Sequence, residues 1–260
     1  MPTVPPVPGD NYVQSFARGL AVLRSFGADA PAQTLTEVAE RTGLTRAGAR
    51  RILLTLLHLG YVDADGRQFR LTPKVLDLGY AYLSSLPLWS QAQPLLADLS
   101  QAVRHSCSAA VLESTDIVYV VRLSAQRTMS INLGIGSRLP AYCTSMGRVL
   151  LAGLPPDQLR TRLGHAALLP LTPHTEVDAE RLLAIIATVR HQGWSLVSEE
   201  LECGLISIAA PVSDRTGKTV AAVNISAQTG TTTAQRLTDE CLPKLLATAQ
   251  QVSALMRHQN

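Results

Sequence analysis

Apolar residues in the first third of the chain recur at helical spacing in three stretches, interrupted at glycine. Residues 14–26, 34–42 and 46–59 each show such a stripe, which predicts three helices. Thr34, with Glu37 three residues later, fits the capping box that starts a helix, and Gly43 permits a sharp turn before the third helix. Two short helices joined in this way predict a helix-turn-helix unit, whose second helix enters the major groove of DNA.

A β-hairpin is predicted directly after the third helix. Residues 61–64 and 67–71 flank the pair Asp65-Gly66. This pair favours a type I′ turn, in which both central residues have positive φ. A hairpin that follows a recognition helix is a wing, so we predict a winged helix-turn-helix domain over residues 12–73.

Positive charge is concentrated on the third helix, which contains three arginines and no acidic residue. Arg51 points directly away from the predicted buried face, while Arg46 and Arg50 lie on its flank. The planar guanidinium group bonds guanine edges or phosphates. Candidate DNA-binding residues are Thr45, Arg46, Ala47, Arg50, Arg51, Arg67 and Arg70. The alternative is a helical hairpin inside a larger fold, with the arginines as a solvated face.

After the hairpin the pattern predicts a connector helix at residues 74–88 and then a second domain at residues 89–260. Short runs rich in valine and isoleucine alternate with helical stripes in this domain, which predicts an α+β fold with an antiparallel sheet. The predicted strands are 108–112, 117–123, 129–133, 194–198, 205–211 and 219–226. The predicted helices are 90–105, 145–152, 155–163, 177–192 and 233–256.

Polar residues interrupt the apolar pattern of the second domain at three places. Asn224 and Ser226 lie two apart on one strand and therefore share a face, and Ser207 lies across the hairpin. Residues 143–147, the run CTSMG, open a helix whose free N–H groups favour an anion such as a carboxylate. These features predict an anion pocket. The alternative is that the polar side chains bond only the local backbone.

The composition narrows the classes of function. The 260 residues are 46% hydrophobic with a net charge of +3. There is no apolar run long enough to span a bilayer and no signal peptide, so we expect a cytoplasmic protein without membrane contact. Residues 1–11, with four prolines, predict a disordered tail.

Catalytic and cofactor-binding motifs are absent from the sequence, so we expect neither an enzyme nor a cofactor. The four cysteines are far apart and lack the spacing of a zinc site, which favours reduced thiols and no metal. Two alternatives stay open. One is an enzyme domain that uses Cys143 or Cys203 as a nucleophile, and the other is a regulator that senses redox state or a metal through its cysteines.

Residues 13–26, 44–62, 136–152 and 199–226 resemble the IclR family of bacterial transcriptional regulators. The run RLPAYCTSMGR and the first helix are most similar to the subgroup that controls aromatic-acid catabolism through the protocatechuate, 4-hydroxybenzoate and β-ketoadipate pathways. The resemblance implies a homodimer or a tetramer built as a dimer of dimers. Each subunit would have a winged helix that binds a double-stranded DNA operator and a GAF-like domain that binds a small carboxylate effector.

The resemblance also implies the residues of the effector site. The backbone amides of Ser145 and Met146 would bind the carboxylate, and the later strands would contribute Val197, Ser207, Asn224 and Ser226. A family member that binds small keto acids has an aspartate and a cysteine in place of Val197 and Ser207. A more apolar wall suits an aromatic acid. Arg138, beside the pocket loop, is a further candidate partner for the carboxylate.

Overall fold

The computed structural model describes Gly9 and residues 12–84, 88–124 and 133–257, and these divide into two compact units, one ending at Ser84 and one beginning at Ser85. Except for Gly9, the predicted tail lies outside the described residues. So do residues 129–132 of one predicted strand and 85–87 of the predicted connector. Within the described ranges, no helix is long and apolar enough to cross a membrane.

The first unit contains the predicted helices and a small antiparallel sheet. Its elements are α1 (Gln14–Arg24), β1 (Ala32–Thr34), α2 (Leu35–Thr42), α3 (Arg46–His58), β2 (Val62–Asp65), β3 (Gln68–Leu71), a 3-10 turn (Pro73–Val75) and α4 (Leu76–Ser84). The strand order is β1-β3-β2. Strand β1 was not predicted. Its three residues are too few to show an alternating pattern, and pairing with β3 stabilises it.

Local capping defines the helix-turn-helix. The predicted capping box is confirmed, because Thr34 accepts from the Glu37 amide and the Glu37 carboxylate accepts from the Thr34 amide. Gly43 ends α2 in the left-handed conformation, at φ 66°. Thr45 then caps α3 by accepting from the Gly48 amide at 3.1 Å. The two helices therefore have fixed ends on either side of a short turn.

The wing is present, but its turn differs from the predicted one. Asp65 pairs with Gln68, so the two central residues are Gly66 and Arg67 rather than Asp65 and Gly66. Gly66 has φ 60°, and Arg67 is not among the residues with positive φ. Positive φ at the first central position alone is typical of a type II′ turn, so the prediction of type I′ was wrong.

The core of the first unit joins the three helices to the wing. Its buried apolar residues come from every element that carries an apolar stripe: Val22, Phe26, Val38, Ala39, Ala49, Leu53, Leu56 and Val62. The other residues of α3 are partly or fully exposed, and the exposed ones, among them Arg46, Arg50 and Arg51, are available for binding.

The second unit is an α+β domain with an antiparallel sheet, as predicted, and this sheet has six strands among the described residues, one of which, at Arg138–Pro140, was not predicted. Its elements are α5 (Leu88–Val103), β4 (Ser106–Glu113), β5 (Asp116–Leu123), β6 (Arg138–Pro140), α6 (Ser145–Ala152), α7 (Pro156–His165), α8 (Ala179–Gln192), β7 (Ser195–Ser198), β8 (Leu205–Ser213), β9 (Thr219–Gln228), α9 (Ala234–Arg236), a π turn (Leu237–Cys241) and α10 (Leu242–Arg257). The strand order is β6-β5-β4-β9-β8-β7.

Helices cover both faces of this sheet. On one face, Ala110, Tyr119, Ala209 and Ala222 pack in one cluster with α6 and α8. The alternate residues of the strands, such as Ile225, are equally buried, and α5 and α10 pack against β4 and β8. The two helical layers therefore exclude water from the middle of the sheet, where the polar residues Asn224 and Ser226 lie.

Candidate ligand pocket and nucleic-acid interface

The start of α3 presents an exposed, basic surface. Thr45, Arg46, Ala47, Arg50 and Arg51 are all exposed. Within the described part of the chain, none of the three arginines has an acidic partner. Their donors are therefore available to phosphates and base edges. Of the two predicted wing residues, Arg67 is exposed and Arg70 pairs with Asp65 at 3.2 Å, an exposed ion pair that is weak in water.

An apolar groove of about 710 Å³ lies in the first unit, on the side of α3 that faces α1. Arg51 borders this groove, while Arg46 and Arg50 lie outside its lining. Phe16 and Leu20 of α1 contribute to the groove and are 68% and 43% exposed. Large apolar side chains in this state are typical of a surface that another protein covers.

The predicted polar residues of the second unit lie side by side on one sheet face. Val197 pairs with Ser207, and Ser207 pairs with Ser226, across three neighbouring strands. Asn224 lies two positions before Ser226 on the same strand, and its side-chain amide donates to the Ser226 hydroxyl at 3.0 Å. The four residues are between 3% and 9% exposed, so the strand register alone assembles a buried polar wall.

Helix α6 begins directly opposite this wall. The hydroxyl groups of Ser145 and Ser207 are 2.9 Å apart and hydrogen-bonded. Thr144 caps the helix by accepting from the Gly147 amide at 3.2 Å. The amides of Ser145 and Met146 belong to the first turn, where N–H groups have no acceptor within the helix. They are the groups that favour an anion at this position.

These parts enclose a cavity of about 20 Å³, room for roughly one water molecule. Its lining includes six of the seven predicted effector residues: Ser145, Met146, Val197, Ser207, Asn224 and Ser226. It also includes residues that were not predicted, among them Tyr119, Cys143, Leu201 and Leu205. Tyr119 comes from β5, and its apolar strand offered no signal of a position in a pocket.

Arg138, the seventh predicted residue, is not among the described residues that line the cavity. It belongs to β6, the edge strand, and it is exposed. Its guanidinium group donates to the Asp116 carboxylate at 3.2 Å and to the Glu113 carbonyl at 3.1 Å. The structure therefore does not support the expected placement beside the pocket, because these two acceptors hold the side chain at the sheet edge.

A buried ion pair, which was not predicted, supports α6. Arg148 donates to the Glu200 carboxylate at 2.7 Å and to the Tyr142 carbonyl at 2.9 Å. Both side chains are almost entirely buried, and Glu200 also accepts from the Glu176 amide. The pair joins α6 to the segment that follows β7, and so fixes two sides of the cavity relative to each other.

The chemistry of the cysteines favours inert thiols. Burial raises the pKa of Cys107 and of Cys143 to about 12, and the nearby Glu200 carboxylate adds to the effect on Cys143. A protonated thiol is a poor nucleophile and a poor metal ligand. Among the described residues, there is no group of three or more His, Cys, Asp or Glu side chains that would hold a metal ion.

A basic winged helix-turn-helix in one unit and a buried polar cavity at the start of a helix in the other are typical of ligand-responsive DNA-binding regulators. Comparison with family models agrees with this class. Residues 15–66 match the IclR helix-turn-helix domain, and residues 80–254 match the C-terminal domain of bacterial IclR transcriptional regulators. The chain belongs to the IclR family.

Individual relatives show which members of the family this chain resembles. The Pca regulon regulatory protein of Pseudomonas putida is 46% identical over 91% of this chain and 82% of its own length. The p-hydroxybenzoate hydroxylase transcriptional activator of Acinetobacter baylyi is 39% identical over 95% and 93%. An IclR homologue from Microbacterium hydrocarbonoxydans, solved in complex with 4-hydroxybenzoate, is 25% identical, with a TM-score of 0.82 and coverage of 94% and 100%.

These matches confirm the family, the fold class and the assignment as a transcriptional regulator rather than an enzyme. The predicted similarity to regulators of aromatic-acid pathways is confirmed as well. The roles of the individual site residues stay predictions.

Proposed function

We propose that this protein controls the transcription of genes for catabolism of an aromatic carboxylic acid, and that this acid is its effector. The observation that supports this proposal most directly is the cavity, in which the first-turn amides of Ser145 and Met146 face a buried polar wall. Two similar proteins are named for such pathways, and a structural relative was solved with 4-hydroxybenzoate. Because the cavity is small, an aromatic ring occupies it only when α6 and β8 move apart.

The proposed DNA contacts are Thr45, Arg46, Ala47, Arg50 and Arg51 on α3, with Arg67 and Arg70 on the wing. Among the residues that the structure describes, the three arginines of α3 have no acidic partner, and this supports the assignment. Arg70 is free to exchange its exposed ion pair for a phosphate. Because a bacterial regulator meets its DNA operator in the cytoplasm, the protein would act there.

We expect Arg46→Ala and Arg50→Ala to lose operator affinity by about 1–3 kcal/mol each while the fold is retained. Arg160→Ala, which changes an exposed arginine on α7, is the matched control. Electrophoretic mobility shifts at fixed salt measure the affinity. Wild-type affinity in both α3 variants would refute the recognition-helix assignment.

We expect Ser226→Leu to abolish the response to the effector while operator binding continues, because leucine fills the cavity. Thr188→Leu, on the exposed face of α8, is the control. A thermal-shift screen of aromatic and keto acids identifies the ligand, and operator binding with and without it measures the response. An unchanged response in the Ser226 variant would remove this residue from the pocket.

A homodimer, or a tetramer built as a dimer of dimers, would place two recognition helices on successive half-sites of an operator. The apolar groove between α1 and α3 supports this proposal, as do large exposed side chains on α4, among them Leu76 and Tyr80 at 72% and 70%. A Leu76→Glu and Tyr80→Glu double variant should lower the mass found by light scattering. Leu169→Glu, at an exposed leucine of the second unit, should not.

A further inference from the structure

The polar wall of the pocket continues beyond the cavity lining onto β4 and β5. Directly paired residues of antiparallel strands share a sheet face. Asn224 pairs with Ser108, and Ser108 pairs with Arg122, so the three side chains form one row across β9, β4 and β5. Asn224 lines the cavity. The row therefore extends from the cavity to Arg122, a positively charged residue that no sequence pattern indicated.

Arg122 is held over this face by two neighbours. Its Nη1 donates to the Ser108 hydroxyl at 3.1 Å, and its guanidinium carbon lies 5.6 Å from the centre of the Tyr119 ring. The second distance is within the range of a cation–π interaction. A register shift between Ala109 and Ala110 allows Tyr119 and Arg122, three positions apart, to face the same side. Tyr119 also lines the cavity. Arg122 therefore contacts one residue of the cavity lining, Tyr119, and lies in the same row as another, Asn224.

Two polar atoms of this row are buried without a hydrogen-bond partner among the described residues. One is the Nε of Arg122, a donor, and the other is the Oδ1 of Asn224, an acceptor. Asn224 is only 3% exposed, so bulk solvent does not reach its side chain. Buried polar atoms without partners are rare, and each requires an explanation such as a ligand. A hydroxyl group offers both an acceptor for the Arg122 donor and a donor for the Asn224 acceptor, whereas a carboxylate only accepts.

Resting on the proposed function, we propose that Arg122 and Asn224 form the distal end of the effector pocket and recognise a hydroxyl group on the aromatic ring. The guanidinium group lies over β4, two strand spacings, or about 10 Å, from β8, where Ser207 meets Ser145. A benzene ring with a carboxylate and a hydroxyl at opposite ends covers this span, with the carboxylate at the α6 amides and the hydroxyl toward Arg122 and Asn224. The effector class is therefore a hydroxybenzoic acid.

The test compares 4-hydroxybenzoate with benzoate, which lacks the hydroxyl group, by isothermal titration calorimetry on the full chain. We expect wild type to bind 4-hydroxybenzoate about 10- to 100-fold more tightly, as for a hydrogen bond from a charged donor. Arg122→Gln should remove this preference while benzoate binding changes little. Arg138→Gln is the matched control, because Arg138 is an arginine on the neighbouring strand whose guanidinium group already bonds Asp116 and Glu113, and it should keep the preference.

A preference that survives in Arg122→Gln would overturn the proposal and leave the pocket itself intact. Tighter binding of terephthalate than of 4-hydroxybenzoate would overturn the assignment of a hydroxyl group, since terephthalate has a second carboxylate in its place. If Arg122→Gln does not fold, Arg122→Lys keeps the charge without Nε and should reduce the preference, and an unchanged ratio would overturn the proposal. If wild type binds neither acid, the proposed function fails together with this inference.

Discussion

Gly147 lies where α6 comes closest to the preceding chain. A Cβ atom at this position would lie 2.1 Å from the carbonyl oxygen of Ala141, and backbone cannot move away as a flexible side chain does. We expect Gly147→Ala to lower the free energy of unfolding by about 1–3 kcal/mol or more, as overpacking does. The proposed carboxylate site at Ser145 should be lost with it.

The control for this prediction is Gly164→Ala on α7. A Cβ atom there meets nothing within 4 Å. Since alanine favours helix, we expect this variant to be more stable than wild type by about 0.5–1 kcal/mol. Urea denaturation measures both variants. Equal stability of the two would show that the close approach at Gly147 relaxes without cost.

The cysteines differ in exposure, and this difference predicts their reactivity. Burial raises the pKa of Cys107, Cys143 and Cys241, so at pH 7.5 these thiols remain protonated. Cys203 is exposed. We expect iodoacetamide to label native protein at Cys203 first, and Cys203→Ser to remove the fast reaction. Rapid labelling of Cys143 in mass spectrometry would instead favour the alternative in which this residue is a nucleophile.

Side chains that alternate along a strand could be predicted from the sequence, while side chains that meet across the fold could not. Asn224 and Ser226 are two apart in an apolar strand, and this spacing alone placed them on one face. Arg148 and Glu200 are 52 positions apart, and their contact depends on how α6 packs on the sheet. Arg138 illustrates the opposite error, since closeness to the pocket loop in sequence did not bring its side chain to the cavity.

At the scale of elements, the ion pair of Arg148 and Glu200 anchors α6. Glu200→Gln would leave the Arg148 charge buried and unpaired, so we expect a loss of about 3–5 kcal/mol in thermal or urea unfolding. Glu180→Gln, in an exposed pair with Arg160 at 3.6 Å, should change stability by about 0.5 kcal/mol or less. Similar losses in both variants would mean that α6 does not depend on the buried pair.

Helices and strands with strong local sequence signals could be predicted, and strands that depend on pairing with a distant strand could not. The capping box of α2 is local, because Thr34 and Glu37 lie within one helical turn. Strands β1 and β6 have three residues each and exist through pairing with β3 and β5. The type of the wing turn depends on the register of Asp65 with Gln68, which the residue pair Asp65-Gly66 did not determine.

At the scale of the whole molecule, operator binding should depend strongly on salt. Each arginine that neutralises a phosphate releases counterions, so the logarithm of the affinity falls linearly with the logarithm of the salt concentration. We expect replacement of an arginine that binds a phosphate, such as Arg67→Ala in the wing, to reduce the slope by about one. Fluorescence anisotropy across a salt series measures this slope. An unchanged slope would place Arg67 away from the DNA backbone.

The predicted division of the chain follows from a change of period, from helical stripes to alternating strands. The structure places the boundary between its two units at Ser84 and Ser85, inside the predicted connector at residues 74–88. How subunits associate could not be deduced from periodicity, because an apolar stripe has the same pattern whether its own chain or a second chain covers it.

The hydrogen bond between Ser145 and Ser207 and the small volume of the cavity have a consequence for the affinity of the effector. If the conformation that admits an aromatic acid is a minor one, the apparent affinity is the intrinsic affinity reduced by its population. A variant that favours the open form, such as Ser145→Ala, which loses this hydrogen bond but keeps the backbone amide, would then bind the acid more tightly than wild type and yet respond to it less. Weak binding by the native protein would therefore reflect a sensor set to respond only when the acid is abundant.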